Sequence, residues 1–585
     1  MRACGFSRVK KRLFLLTFQV NSCTIKTVYF ACALHMKRTT QLGWREDMYT
    51  IQFEEYLDKI HGCWYGKCLG GAAGAPVEGI KKVIDVQDFT QIFNPDLPND
   101  DLDLQLLWLD TLETKGVLID ACDLADAWVE KCWYPFSEYG YFLKNYMRGI
   151  KPPYSGMINN EFFKEGMGCP IRSEIWGLIC PGDPDLAAAY AYMDATLDHA
   201  GNSVYAEQFL AAVESMAFFE RDLEKLIACG MRYVPADSKL RRCFDRILEA
   251  YHNNATWLEA RRLVLNEFSH PDFTNVVQNL GFVLIALLYG KGDMRDTINI
   301  ALQCGYDTDC TCASAASVIG IMKGYSGLDR EIAALIQDYF IIGIDVVRPS
   351  NSIRALAEDT AKIGLKTPDY MVEIVGAPFP PERPEGFTGF QTEPVTPQGL
   401  EAALHSVAPR KWEIYGPYFD QLDQPADPRY PSPHGEGSVL PDMVCMVNNE
   451  AFLDRDYITD LEQEKAACVI DAYEDFIEVD RYLTLEGQMC CYAATQVWAP
   501  EDRKVWAVIG NNDGFRLWCN GEEQLCRDEI RYWTPYNNFT LLDLKKGKNK
   551  IVIKLLRRTE KLKFSIGLRQ YDNCHWHRSK WCIDI

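Results

Sequence analysis

The chain has 585 residues, 48% of them apolar and 24% charged. That is ordinary globular usage, which excludes a wholly disordered, collagen-like or coiled-coil chain, and at ~100–200 residues per domain the length predicts two or three domains. The formal charge of −21 argues against binding a nucleic-acid backbone or an anionic membrane surface, and suits a cation site or plain solubility.

Residues 1–47 run against this balance, with nine Lys/Arg and two acids. Lys10, Lys11 and Arg12 precede the apolar run LFLLTFQV, a weak signal-peptide pattern. The run is short, and no small-residue cleavage site follows it cleanly. The segment is read as a disordered basic leader or an upstream start, with Met36 and Met48 offering later ones. No run of 18 or more apolar residues occurs, so no spanning helix is predicted. The 22 cysteines are scattered, many inside helical patterns (Cys63, Cys68, Cys122, Cys132, Cys304). They form no CxxC pair, and the nine histidines form no HExxH motif. A disulfide framework belongs to short secreted chains. Reduced thiols acting as small apolar residues are expected here, and with them a cytoplasmic location.

Residues 48–366 predict an all-α domain. Apolar residues recur at helical spacing, as in Leu102, Leu106 and Leu109, over 52–69, 101–115, 185–199, 204–219, 222–230, 254–266, 275–289, 294–304 and 311–323. Residues 367–441 hold half of the 28 prolines and read as a linker with little regular structure. Residues 442–585 alternate as strands do in MCCYAATQVWA, KVWAVIG, FRLWCNG, KIVIKLL and KFSIGLR, with turn signals at Asp513-Gly514 and Asn520-Gly521. That spacing predicts a β-sandwich.

Three clusters carry the chemistry. Asn99-Asp100-Asp101 stands before a helix expected from Leu102. Asp307-Thr308-Asp309-Cys310-Thr311 stands before a helix with the small residues Ala313, Ala316 and Gly320. Glu78 closes the stretch GKCLGGAAGAPVEG. Asp and Asn at helix starts ordinarily cap free amides. Paired acids exceed what a cap needs, and crowded carboxylates are costly without a cation. Four aspartates could hold two Mg²⁺ or Mn²⁺ ions, since such hard cations take oxygen ligands. Both readings, caps and metal ligands, stand at this point. The glycines lack GK[ST] and follow no strand, so they form neither a P-loop nor a dinucleotide fingerprint. They allow close helix contact or backbone approach to a ligand. Glu78 is either exposed or functional, and His199 is either a structural hydrogen-bonding residue or a catalyst.

In this order and spacing the clusters resemble the ADP-ribosylglycohydrolase family. GCWYGKCLGGAAGAPVEG looks like the family's opening helix and loop. NDD looks like its first metal motif, more often Thr-Asp-Asp, and DATLDHAGNSVYAEQF like its central Asp/His helix boundary. GYDTDCTCASAASVIG looks like its second metal motif, commonly GxDTDT. The resemblance implies an all-α cleft with two Mg²⁺ (Mn²⁺ as the alternative) and hydrolysis at the anomeric carbon of an ADP-ribosyl or related ribosyl or glycosyl group. The substrate would be a small molecule or a modified protein, without nucleic acid or membrane. Asn99, Asp100, Asp101, Asp307, Asp309 and Cys310 would stand at the metal positions. Glu78, Asp100 and Asp307 would be catalytic, and His199 and Gly305 would line the substrate site. Asn99 and Cys310 depart from the usual threonines, and a thiol is a poor partner for Mg²⁺. The C-terminal region resembles galactose-binding-like jelly rolls, through VIGNNDGFRLWCNGEE and LKKGKNKIVIKL. It could take carbohydrate, with Trp498, Trp506, Trp518 and Trp533 either as stacking faces or as core. The rival function is a non-catalytic nucleotide-sugar or glycan-binding protein that uses the same cleft.

Overall fold

The computed structural model describes residues 48–96, 99–390, 394–418, 453, 455–485, 489–558, 561–573 and 575–584. The basic leader expected over 1–47, and residues 391–393 and 419–441 of the expected linker, lie outside them. Residues 48–390 and 395–584, as described, belong to one compact unit. Among the described residues no helix is long and apolar enough to cross a membrane.

The N-terminal part is helical, as the periodicity predicts. Its helices are Phe53–Gly74, Asp100–Lys115, Ala121–Lys131, Ser137–Met147, Ser173–Ile179, Pro184–Ala195, Asn202–Met216, Leu223–Gly230, Lys239–His252, Trp257–Phe268, Val276–Gly290, Met294–Cys304, Thr308–Lys323, Arg330–Ala333 and Ile353–Gly364. The centre is the pair Phe53–Gly74 and Thr308–Lys323. The first carries glycines every fourth residue, and this stripe lies directly on the backbone of the second. A Cβ on Gly62, Gly66, Gly70 or Gly74 would fall 2.3, 2.5, 2.4 or 2.2 Å from the carbonyl oxygens of Gly320, Ala316, Cys312 and Thr308. Only glycine allows so close an approach. Val276–Gly290 is apolar on nearly all sides because it is buried on nearly all sides.

A two-stranded parallel sheet joins β1 (Tyr49–Gln52) to β2 (Val372–Val375). The expected linker therefore holds regular structure: β2, the helix Pro397–Leu404 and β3 (Arg410–Tyr418). The remaining strands are β4 (Cys468–Ala472), β5 (Phe476–Glu478), β6 (Met489–Ala499), β7 (Arg503–Asn511), β8 (Phe515–Cys519), β9 (Glu522–Arg527), β10 (Asn538–Leu544), β11 (Gly547–Arg557) and β12 (Lys563–Gln570). They form two antiparallel sheets, β4-β3-β6-β11-β8-β9 and β10-β7-β12-β5. One apolar core takes residues from both, including Ile414, Ala493, Ile553, Ile509 and Phe564. Asn520 and Gly521, at φ 51° and 84°, form the two-residue hairpin between β8 and β9. Asp513-Gly514 instead carries the chain from one sheet to the other. Trp498, Trp506, Trp518 and Trp533 all stand outside the shared core, and Trp498 is 57% exposed.

Candidate metal and active site

Three chain segments converge where the two central helices meet a third. Gly74 lies against Thr308, whose hydroxyl donates to the Gly74 carbonyl (2.8 Å). Beyond it, Gly79 N–H donates to Tyr306 O (2.8 Å) and Tyr306 N–H to Ile80 O (3.0 Å). These bonds hold Glu78 beside Asp307. Gly305 serves this junction. It has φ 70°, and a Cβ there would meet the Lys82 and Ile80 carbonyls at 2.2 and 2.7 Å. Gly71 gives way to Asn99 in the same manner, since its Cβ would fall 2.4 Å from Asn99 Nδ2.

The helices start earlier than the sequence pattern indicates, at Asp100 and Thr308. Asp100, Asp101, Asp309 and Cys310 thus lie in first turns, with Asn99 and Asp307 at the N-cap positions. Neither cap residue makes a side-chain cap bond. Asp120, Asp183, Asp222, Ser238, Thr256, Asp293 and Ser352 all do so at their own helices. Capping therefore does not account for Asn99 and Asp307. Asn99 Nδ2, Asp101 Oδ2, Asp307 Oδ2 and Asp309 Oδ1 are buried without a hydrogen-bond partner. Buried polar atoms are rarely left so, and each costs about 1–3 kcal/mol.

Two groups of three have ligand atoms within 4.8 Å of one another: Glu78, Asp307 and Asp309; and Asp101, Asp309 and Cys310. They share Asp309. Burial pushes Asp307 well above the usual carboxylate range, with Asp309 and Glu78 adding to it. Asp309 is pushed up to about 7 by burial, Glu78 and Asp100. Glu78, exposed along one edge, also rises to about 7, first through desolvation and then through Asp100 and Asp101. Burial raises Asp101 too, against the pull of Lys67. Desolvation is the first cause at each of these groups, and Lys67 opposes it at Asp101; a bound cation would offset the burial of so many carboxylates. The oxygen donors suit a hard divalent ion. Asp100, beside these clusters, rises through burial and through Glu138.

His199 lies fully buried next to the same region. Its Nδ1 is 2.7 Å from Asp198 Oδ1 and its Nε2 3.4 Å from Glu138 Oε1. Burial would lower its pKa, but Asp198 and Glu138 raise it to about 9. Arg172 grips Asp198 with both terminal nitrogens at 2.9 Å and reaches Asp194 at 2.8 Å. Beneath Asp101, Lys67 is fully buried between Glu174 Oε1 (3.1 Å) and Asp101 Oδ2 (3.6 Å). Sequence reasoning singled out none of Lys67, Glu138, Arg172, Glu174 or Asp198. The one usable signal was charge inside otherwise buried patterns, as in GKCLGG and IRSEIWG.

The chain is similar to known proteins over its helical part. A family model described as ADP-ribosylglycohydrolase matches residues 53–368. An uncharacterized protein of Archaeoglobus fulgidus is 24% identical over 298 residues, which are 46% of this chain and 88% of that protein. Among solved structures, an ADP-ribosylglycohydrolase-related protein complex aligns over 53% of this chain and 99% of its own, at 20% identity and a TM-score of 0.40. A β-glucosidase from Kluyveromyces marxianus in complex with glucose aligns over 19% of this chain and 14% of its own, at 12% identity and a TM-score of 0.17. The family match spans more than half of the sequence, and by it the chain belongs to the ADP-ribosylglycohydrolase family.

Proposed function

We propose that this protein is a metal-dependent hydrolase that cleaves an ADP-ribosyl or related ribosyl or glycosyl bond at the anomeric carbon. The observation that carries the reading is the pair of carboxylate clusters sharing Asp309, with orphaned oxygens at helix starts they do not cap. Asn99, Asp100, Asp101, Asp307 and Asp309 are the proposed oxygen ligands of two Mg²⁺ or Mn²⁺ ions, and Cys310 stands at the edge of that set. Bound divalent ions would orient a sugar diol and make a water more acidic. Glu78, at the solvent-facing edge with a carboxyl near neutrality, holds or releases a proton at its Oε atoms. The clustered carboxylates oppose the positive charge that develops on a sugar as its glycosidic bond breaks. His199 stands 3.4 Å from Glu138, whose charge is felt at Asp100. The two C-terminal sheets, with their shared core, support a galactose-binding-like jelly roll, and carbohydrate is its proposed ligand. Unpaired thiols such as Cys63, Cys132 and Cys304 support a cytoplasmic setting.

The test is thermal unfolding of the full chain in EDTA, Mg²⁺ or Mn²⁺, each with and without ADP-ribose. A ligand at 100 times its Kd adds about 2.7 kcal/mol to the folded state. Metal-dependent stabilisation by ADP-ribose, together with release of free ribosyl product from a ribosylated substrate, is the expected result. Recovery of intact ligand under binding conditions would replace hydrolysis with a binding role. Absence of any metal response would refute the metal site.

A further inference from the structure

The two clusters share Asp309 but differ in donors. Glu78, Asp307 and Asp309 offer oxygen alone, whereas Asp101, Asp309 and Cys310 bring a sulfur into the group. The sulfur faces its neighbours. Cys310 Sγ donates to Asp101 Oδ1 at 3.5 Å, and the residue is 8% exposed. Asp101, 1% exposed, has no hydrogen bond to its other oxygen, which lies 3.6 Å from Lys67 Nζ. The buried thiols of Cys243 and Cys312 turn to backbone carbonyls, Val277 O at 3.6 Å and Ile298 O at 3.7 Å, as small buried cysteines do. Cys310 instead spends its sulfur on a carboxylate.

Mg²⁺ takes oxygen ligands in a demanding octahedron, while sulfur selects softer or borderline ions such as Zn²⁺. We propose that the position formed by Asp101, Asp309 and Cys310 takes a thiolate-accepting divalent cation of the Zn²⁺ class, while the all-oxygen position takes a hard ion, so that the pair is mixed. The inference rests on the metal-site reading above. Binding exchanges the thiol proton for the cation: the S–H bond breaks, a sulfur–metal bond forms, and the proton passes to solvent with no change of oxidation state.

Cobalt(II) tests this, because a cobalt–thiolate bond absorbs in the near ultraviolet. EDTA-stripped full-length protein is titrated with Co²⁺ and followed by absorbance and calorimetry. The expected result is a saturable near-ultraviolet band that is lost in Cys310→Thr. Co²⁺ and Zn²⁺ affinity should fall about tenfold or more in that variant, at least the loss that removal of an outer-shell partner causes. Mg²⁺ affinity should be kept or improved, and Cys310→Ser should behave as Cys310→Thr. Co²⁺ binding without the band, or a band that survives in Cys310→Thr because another of the 22 cysteines supplies the sulfur, overturns the inference and leaves the metal site standing. Failure of Mg²⁺, Mn²⁺ and Co²⁺ alike to bind the unaltered protein overturns the metal site and this inference together.

Discussion

Asp307 holds a carboxylate at a helix start, where it could accept from free amides and does not. Its Oδ2 is buried without a partner, and Asp309 and Glu78 crowd it with charge of the same sign. In metal-free protein this is a net cost. Asp307→Asn should therefore raise the stability of the EDTA-treated protein by roughly 1–3 kcal/mol, while abolishing stabilisation by Mg²⁺ or Mn²⁺ and lowering hydrolysis. Paired melts with and without metal check this, and a variant that still gains stability from metal would remove Asp307 from the ligand set. His199 has the opposite character, because its charge is balanced. Its pKa rises from 6.5 to about 9 through Asp198 and Glu138, despite burial. The folded state binds this proton more tightly than the unfolded chain does. The resulting stability is complete below pH 6.5 and disappears as pH rises through about 9, an amount on the order of 3 kcal/mol. His199→Gln should flatten the stability curve between those limits, as measured by urea unfolding across pH. An unchanged slope would show that the ring is neutral in the folded protein.

The Phe53–Gly74 helix acts as a hinge pin for the site, because its glycine stripe fixes how closely Thr308–Lys323 can approach. In Gly66→Ala the new methyl would sit 2.5 Å from the Ala316 carbonyl oxygen, which is backbone and has nowhere to go. The helices must part, at a cost of about 1–3 kcal/mol. Because Gly74 and Thr308 end the same contact, the shift should reach Asp307 and Asp309. Metal affinity should fall in a variant whose substituted residue touches no ligand, and calorimetry on folded Gly66→Ala checks it. Unaltered affinity would mean that the interface absorbs the strain locally. The glycines were legible as allowing close helix contact or backbone approach to a ligand, and their seat on the Thr308–Lys323 backbone is the first of these. The acid clusters were legible as cations' ligands or caps, and the missing cap bonds weigh against the caps at Asn99 and Asp307. The pairing of Lys67 with Glu174 was not legible. The two are far apart in sequence, and only tertiary packing brings ammonium and carboxylate together. β3 was hidden for a different reason. Pro409 precedes it and Pro417 interrupts it, at a register shift between Tyr415 and Tyr418, and proline within a run argues against a central strand.

At the scale of the molecule, the C-terminal sheets are bonded into the helical domain near Glu138. Arg569 on β12 is fully buried and donates to the Pro135 carbonyl at 2.8 Å, to Ser579 O at 2.8 Å and to Tyr536 Oη at 3.1 Å. Its guanidinium stacks 4.2 Å over Trp581, which packs with Tyr141 and Phe163. Lys144 pairs with Asp475 across the same seam. Pro135 stands three residues before Glu138, the partner of His199, so the sheets help set one wall of the site without supplying a metal ligand. Arg569→Met keeps an unbranched apolar stem and removes the donors, leaving several buried acceptors unpaired at about 1–3 kcal/mol each. Amide exchange should rise over 133–147 before it rises in the central helix pair, and turnover should fall while Mg²⁺ affinity is retained. Mass-spectrometric hydrogen exchange reads the first effect, and kinetics with calorimetry read the other two. Retained protection over 133–147 in Arg569→Met would show that the sheets hold on by their apolar contacts alone and leave the catalytic wall to the helical domain.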